Sequence, residues 1–120
     1  MRTFSWKVFH RADAPSVLRG WIEQHTPDCV LGFPGRLFPR LQRSGFDVPR
    51  DFAFAAVDVD ARRLDPPISG SGSAVAEQGQ AAARQLHRLL KSGERGTIEH
   101  PVELALTPPW IEGATLPRRG

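Results

Sequence analysis

Residues 30–38 read VLGFPGRLF, and this stretch decides the fold because an apolar run ends there in a sharp Gly-Phe-Pro-Gly turn. The run from Cys29 to Phe33 predicts a strand that is apolar on both faces, as in parallel sheets covered by helices. A strand, a sharp turn and a helix form many ligand sites. This turn contains no Asp, Asn, Ser, Lys or His, so the pattern alone leaves three readings open: a binding site, the remains of one, or only a turn.

A short helix is predicted after the turn, from about Gly35 to Ser44, with Gly45 placed to end it. Its apolar positions recur at helical spacing. Pro39 is compatible with this helix only in the first turn, where its missing N–H would be unpaired in any case. The apolar face of the helix consists of Leu37, Phe38 and Leu41.

A second buried strand is predicted from Phe52 to Val59, FAFAAVDV, and the two strands with the helix between them make a right-handed βαβ unit. Upstream, Asp13 can cap a helix that has Pro15 in its first turn. That helix is predicted to stop at Thr26, because the residue before a proline avoids the helical conformation. A short extended segment is predicted near the N-terminus, where Phe4, Trp6 and Val8 alternate with polar residues.

The second half of the chain is dominated by one strong helical pattern, from Ala74 to Lys91. Ser73 is its expected N-cap and Gly93 its expected C-cap. Before it, ISGSGS at residues 68–73 is predicted to be a loose connector, since the glycines lack the full spacing of a phosphate-binding loop. VELAL at residues 102–106 predicts a last strand, followed by an irregular tail.

Composition excludes several classes of protein. The chain has 120 residues, enough for one domain, and no apolar run approaches the length that spans a bilayer. The 16 Lys and Arg are scattered, which does not favour direct DNA binding by this chain. MRTFSWKVFH does not resemble a secretory signal, and Cys29 has no partner for an internal disulfide, so we expect a cytoplasmic protein.

Candidate chemistry is sparse. No metal or other cofactor is expected, because the histidines have no metal-ligand spacing with Cys29, which is expected to be buried as a small apolar group. Asp58 and Asp60 sit where a parallel strand ends, the position at which open α/β sheets bind ligands. They could bind a sugar or base, cap the following loop, or act as a paired acid and base in an enzyme. No accompanying nucleophile supports the last reading, so we expect no enzyme. The four histidines are His10, His25, His87 and His100.

The order of the segments resembles the C-terminal part of a LacI/GalR-family transcription regulator. The matching stretches, in family order and spacing over residues 21 to about 116, are HTPDCVLGF, LQRSGFDVPRDFAFAAVD, RLDPPISG, AEQGQAAARQLHRLL and PVELALTPPWIEGATL. The resemblance implies an incomplete C-terminal lobe of a type I periplasmic-binding-protein-like fold. The crossover helix and last strand would belong to the other lobe. Residues 1–116 would form a partial effector-binding and dimerisation domain and 117–120 an irregular tail, with no DNA-binding domain present.

The same resemblance implies where partners bind. The effector would be a sugar or nucleobase held between the lobes, the chain would be a homodimer, and DNA would be contacted only through an N-terminal domain that this chain lacks. The helix at 35–44 would lie near the dimer face, with Leu37, Phe38 and Leu41 at the interface, although these side chains are equally suited to covering the sheet. The candidate effector-binding residues are Trp6, Phe33, Pro34, Gly35, Arg36, Asp58 and Asp60.

Three polar positions of the family's cleft are altered. The Asn-Asp usual after Gly-Phe is Pro34-Gly35 here, the Asp-Asp after the next strand is Asp58-Val59, and Thr-Thr after Pro-Pro is Ser69-Gly70. Either the effector differs or effector binding is lost. Losing one charged hydrogen bond would weaken sugar binding roughly ten- to a hundredfold. The alternative within the same fold is a fragment of a periplasmic sugar-binding protein.

Overall fold

The structure is a computed structural model that describes residues 5–8, 13–59, 66–97 and 99–118. It is a mixed α/β fold, as predicted, and it divides into two compact units. Unit 1 comprises the described residues up to Gly72 together with those from Trp110 onward, and unit 2 comprises Ser73–Pro109. Within the described residues no helix combines the length and the apolar character needed to cross a membrane.

In its described residues, unit 1 contains two helices and a four-stranded sheet. These elements are α1 (Pro15–His25), β1 (Cys29–Gly32), α2 (Pro34–Arg43), β2 (Ala53–Val59), β3 (Gly70–Gly72) and β4 (Trp110–Ile111). The strand order is β1-β2-β3-β4. The β1–β2 and β2–β3 pairs are parallel and the β3–β4 pair is antiparallel, so the predicted βαβ unit is present.

The ends of α1 follow from local sequence. Pro15 occupies its first turn as expected, but the N-cap is Ala14, so Asp13 lies one position too early to cap the helix. Thr26 ends α1 in the left-handed conformation with φ 40°, and its N–H donates to the Ile22 carbonyl at 2.8 Å. The predicted stop at Thr26-Pro27 is therefore confirmed.

Helix α2 begins at Pro34 and is followed by Gly45, which has φ +87° as the predicted helix stop requires. The expectation that Pro39 would be tolerated only in the first turn was wrong, because Pro39 lies inside the helix. Pro39 has no N–H to donate to the carbonyl of Gly35, four residues earlier. Gly35 is exposed, so water can satisfy that carbonyl.

The core of unit 1 contains side chains from both helices and from one face of the sheet. Phe38 on α2 packs on Phe54 of β2 with ring centroids 5.2 Å apart. Phe38 retains 4% and Leu41 0% of their accessible surface, so neither has area to offer the expected dimer interface. Leu37 is partly buried against the same core. These residues cover the sheet, which is the alternative that the sequence had left open.

The opposite face of β1 is not covered. Val30 is buried, whereas its neighbours Cys29 and Leu31 are exposed, Leu31 by 66%. Two expectations were therefore wrong: β1 is not buried on both faces, and Cys29 is not a buried thiol. β1 is one of the two edge strands of the described sheet, and both described helices of unit 1 pack on the face that carries Val30.

ISGSGS is not the loose connector expected from its glycines, because Gly70–Gly72 form β3, where Gly70 and Gly72 are buried. A Cβ on Gly70 would collide with the backbone of Ala56 in β2, so this close strand pair requires glycine. The last strand also differs from prediction. VELAL has no regular structure and Val102 is 81% exposed, while Trp110–Ile111 pair with β3.

A buried cluster of hydrogen bonds joins the C-terminal stretch to the sheet. The Thr115 hydroxyl accepts from the Ser69 N–H at 3.0 Å and donates to the Phe54 carbonyl at 2.8 Å. The Phe54 N–H in turn donates to the Thr115 carbonyl at 2.8 Å. The Ser69 hydroxyl accepts from the N–H groups of Gly113 at 3.1 Å and Leu116 at 3.2 Å. Both Ser69 and Thr115 are fully buried.

Unit 2 contains the helix α3 (Val75–Ser92), close to the predicted bounds, and Gly93 ends it with φ 72° as expected. The expected cap at Ser73 was wrong, because the N-cap is Ala74 and no side chain caps the helix. Ala81 is the only buried residue of α3. Its exposed large apolar side chains are Val75, Leu86 and Leu90.

We expect Thr115→Val to lower the free energy of unfolding by about 1–3 kcal/mol, because valine keeps the shape but leaves the buried Ser69 N–H and Phe54 carbonyl without this partner. Urea titration followed by tryptophan fluorescence measures the change. Thr107→Val is the control, since Thr107 is exposed. Equal stability of the two variants would contradict a structural role for the Thr115 hydroxyl.

Cys29 should react with a thiol reagent in the native state, because its side chain is exposed. Desolvation, with a smaller contribution from Asp28, raises the pKa of the thiol above its ordinary value of 9.0, although the Ala55 backbone opposes the shift. Near pH 8 the folded chain should thus react more slowly than the denatured chain. The raised pKa favours folding below pH 9.0, and this contribution is lost as the pH rises through the folded-state value. Reaction only after denaturation would contradict the exposed position.

Candidate functional site

The candidate site lies in unit 1, at the edge of the sheet where the parallel strands β1 and β2 end. Gly32 of β1 pairs with Ala56 of β2. Phe33 comes after Gly32 and Asp58 comes after Ala56, so both residues lie at the same edge of the sheet. Ligands of open α/β sheets bind at the carboxyl ends of the strands. The structure therefore brings the Gly-Phe-Pro-Gly turn and Asp58 to one edge, as the sequence predicted.

Helix α2 starts at this edge, and its N-cap and first three residues are four of the predicted residues. Phe33 is the N-cap, in an extended conformation with φ −76° and ψ 121°, and no side chain caps the helix. Pro34 is buried, whereas Phe33, Gly35 and Arg36 are exposed. The N–H groups of Gly35 and Arg36 have no acceptor earlier in the helix, because the first turn lacks one by geometry. The edge can thus receive a hydrogen-bond acceptor, and Phe33 adds an exposed aromatic ring.

Asp58 is exposed at the end of β2 and has an unusual backbone conformation, with φ 60°. The β2–β3 register shifts there, from Ala56 opposite Gly70 to Val59 opposite Gly72, which is a β-bulge. The bulge returns Val59 to the buried core and leaves Asp58 outside it. A left-handed conformation at a residue other than glycine costs on the order of 1–3 kcal/mol and often accompanies function.

The carboxylate of Asp58 makes no hydrogen bond or ion pair with any residue in the described part of the chain. It is therefore available to a ligand, or to solvent. Asp60 lies outside the described residues, so its expected place in the effector site stays a prediction, and the acid–base alternative that the sequence did not favour is untested. In the described ranges no three His, Cys, Asp or Glu residues are grouped as metal ligands would be.

Trp6 is not brought to this edge by any contact in the described residues. Its ring is 87% exposed in a stretch without regular secondary structure. The neighbouring Ser5 hydroxyl lies 3.2 Å from Nδ1 of His25, at the end of α1 that leads into the amino end of β1. Phe33 follows the other end of β1. The described contacts therefore do not bring Trp6 to the site, and its place there stays a prediction.

The edge also includes a residue that the sequence analysis missed, Trp110. It begins β4, pairs with Ser71 of β3, and is 51% exposed. Because the last strand was placed at residues 102–106, Trp110 was assigned to the irregular tail. The available signal was the apolar pair Trp110-Ile111 directly after Pro108-Pro109, where a strand can restart.

Chemically, the edge combines two exposed aromatic rings, one carboxylate and one hydroxyl with backbone N–H groups. Such a mixture suits the binding of a small polar ring, whose flat apolar surface meets an aromatic side chain. The groups come from Phe33, Asp58, Ser71 and Trp110 and from the start of α2.

Comparison with known proteins identifies one family. The sequence profile described as periplasmic binding protein-like domain matches residues 36–116, which include most of α2 and all of β2, β3, α3 and β4. Neither a search of curated proteins nor a search of solved structures gave a match.

Substitutions at Asp58 should separate backbone strain from side-chain chemistry. We expect Asp58→Val to lower the free energy of unfolding by about 1–3 kcal/mol, because a β-branched residue tolerates a left-handed conformation poorly. Asp58→Gly should not lower it, since glycine adopts this conformation freely. Urea titration measures both. A valine variant as stable as the glycine variant would show that residue 58 does not need a positive φ.

Proposed function

This chain belongs to the periplasmic binding protein-like domain family, and we propose on that basis that it is the C-terminal effector-sensing and dimerisation part of a LacI/GalR-like transcription regulator, a repressor. In this proposal the protein is cytoplasmic and is not an enzyme. It contacts DNA only through an N-terminal domain outside this chain.

The observation that carries the effector-sensing role is the shared edge of β1 and β2. The turn at Phe33–Arg36 and the exposed carboxylate of Asp58 meet there, on two adjacent parallel strands. An effector bound at this edge would contact the start of α2 and the end of β2 together. Effector binding that shifts α2 or β2 would then change the conformation of the protein.

Effector binding by this lobe alone should be weak. Pro34-Gly35 supplies no carboxylate or amide side chain, and Asp58 is the remaining described carboxylate at the edge. In the proposed full protein a second lobe closes over the effector, as the resemblance implies. A sugar bound to one wall only should have millimolar or weaker affinity, because each missing charged hydrogen bond costs about 1.5–3 kcal/mol.

Dimerisation requires a surface other than the one the sequence suggested. Phe38 and Leu41 belong to the core of unit 1, whereas α3 in unit 2 exposes Val75, Leu86 and Leu90. These positions are spaced to share one face of the helix, with Gly79 and Ala82 between them. Burial of this face against another protein surface would remove exposed apolar area from water.

The alternative is a fragment of a periplasmic sugar-binding protein, which has the same fold but a different cellular role. The sequence encoded upstream of Met1 discriminates the two. A helix-turn-helix in the same reading frame supports the regulator. A signal peptide in that frame contradicts it and supports the transport protein.

We expect the chain to self-associate through α3. Sedimentation at tens of micromolar should show species larger than a monomer, and Leu86→Glu with Leu90→Glu should shift the chain toward the monomer. Gln78→Glu with Gln80→Glu is the control, because both glutamines are exposed on the same helix and the charge change is the same. A monomeric parent chain, or an equal effect of the control pair, would contradict this use of α3.

A further inference from the structure

Residues 102–106, VELAL, have the sequence pattern of a strand but no strand partner. The structure assigns them no regular secondary structure, and Val102, Leu104 and Leu106 are all exposed, Leu104 by 68%. Within the described residues, no backbone group of residues 102–107 forms a hydrogen bond. An apolar segment with unpaired N–H and C=O groups is a template for pairing with another strand. We therefore asked which strand would fit it.

The segment is nearly symmetric about Leu104, so it complements a second copy of itself. In an antiparallel pair centred on this residue, the two Leu104 side chains are directly opposite each other. Val102 is then opposite Leu106 of the second copy, and Glu103 is opposite Ala105. A two-fold axis requires such reciprocal pairs, in which residue i contacts j and j contacts i. The large apolar side chains of both copies then line one face of a two-stranded ribbon.

Charge and proline positions select this register over its neighbours. A shift by one residue places Leu104 opposite Glu103 or Ala105 and mixes the two faces of the ribbon. A shift by two in one direction places Glu103 directly opposite Glu103, and a parallel in-register stack does the same. A shift by two in the other direction places Val102 opposite Pro108, which has no N–H to donate.

The apolar side of α3 supplies the cover that such a ribbon needs. A two-stranded ribbon is marginal in water unless a helix or further strands pack on it. Helix α3, in the same unit as the segment, has 18 residues and is roughly 27 Å long. Leu86 and Leu90 are exposed on one side of it, whereas Arg84 and Arg88 lie on the other by helical spacing, so burial of the leucines desolvates no charge. Ribbon and helix together approach the roughly 800 Å² per partner of a stable interface better than five strand residues alone.

We propose that residues 102–106 of two copies pair as an antiparallel ribbon across a two-fold axis at Leu104. The inference rests on the proposed dimerisation and adds to α3 a second surface, with a defined register. The partner is a second copy of this chain because the segment matches itself, apolar to apolar and with Glu103 opposite an uncharged residue. Binding to a strand of a different protein would require no symmetry about Leu104.

Single-cysteine variants of the full chain test the register. In a Cys29→Ser background, Glu103→Cys, Leu104→Cys and Ala105→Cys are treated with oxidised glutathione and analysed by non-reducing electrophoresis. Directly opposite residues are about 5 Å apart, which a disulfide can span, whereas pairs offset by two residues are roughly 7–8 Å apart. We expect Leu104→Cys to form linked dimers roughly tenfold faster than the other two variants. Gln80→Cys is the control, since Gln80 is exposed on α3 away from its apolar side.

A charge exchange at the axis tests the two-fold symmetry. Leu104→Asp or Leu104→Lys alone places like charges opposite each other and removes a buried leucine, so each should weaken self-association about tenfold. An equimolar mixture of the two variants should form larger species than either alone, because Asp in one copy then faces Lys in the other. Sedimentation at tens of micromolar measures this. Thr107→Asp is the matched control, since Thr107 is exposed and lies outside the paired residues.

The opposing outcomes are distinct. A chain that self-associates but links no faster through Leu104→Cys than through Gln80→Cys overturns the inference and leaves association through α3 standing. Faster linking through Glu103→Cys or Ala105→Cys than through Leu104→Cys overturns it too, as does a mixture of the charge variants that is no larger than its components. A monomeric parent chain contradicts both the inference and the proposed dimerisation. The upstream helix-turn-helix test is independent of all these results.

Discussion

The hydroxyl of Thr115 connects three parts of the chain that are far apart in sequence. It accepts from the Ser69 N–H before β3 and donates to the Phe54 carbonyl of β2. The Ser69 hydroxyl accepts hydrogen bonds from the N–H groups of Gly113 and Leu116, on either side of Thr115 in the chain. All of these polar groups are buried or partly buried, so an unmade bond would leave a desolvated donor or acceptor. The position of β3 and β4 beside β2, and thus of Ser71 and Trp110 at the candidate edge, depends on this cluster.

The pairing of β2 with β3 also explains the unusual backbone conformation at the candidate edge. Gly70 lets β3 approach Ala56 closely, and two residues later in β2 the strand bulges. The bulge returns Val59 to the core and leaves Asp58 exposed in a left-handed conformation. The close pairing of Ala56 with Gly70 and the bulge that follows it have one cause. In both places β2 pairs with β3, which is very short and rich in glycine.

Sequence patterns predicted those parts of the fold that depend on local chemistry. The bounds of α1, α2 and α3 follow from apolar spacing, from prolines in the first turn of α1 and α2, and from Thr26, Gly45 and Gly93 at the ends. The order of β1, α2 and β2, and the placing of the turn beside Asp58, were also foreseen. The predictions that failed concern features that depend on residues far away in the sequence. Gly70–Gly72 has no strand propensity and is a strand because Ala56 and Ile111 pair with Gly70. Cys29 is exposed because the helices of unit 1 pack on the face of β1 that carries Val30, which no local pattern reveals.

The antiparallel pairing of β3 with β4 has a topological consequence. The chain leaves the sheet after Gly72 and re-enters at Trp110, and Ser71 and Trp110 are direct neighbours. Residues 73–109 are therefore an insertion between β3 and β4, and the pairing of these strands already holds the two ends of the insertion together. A longer or shorter insertion changes the loop-closure entropy only slowly and disturbs none of the strand pairs of unit 1. The fold thus permits this segment to diverge, or to be exchanged for another, while the edge bearing Asp58 and Trp110 keeps its geometry.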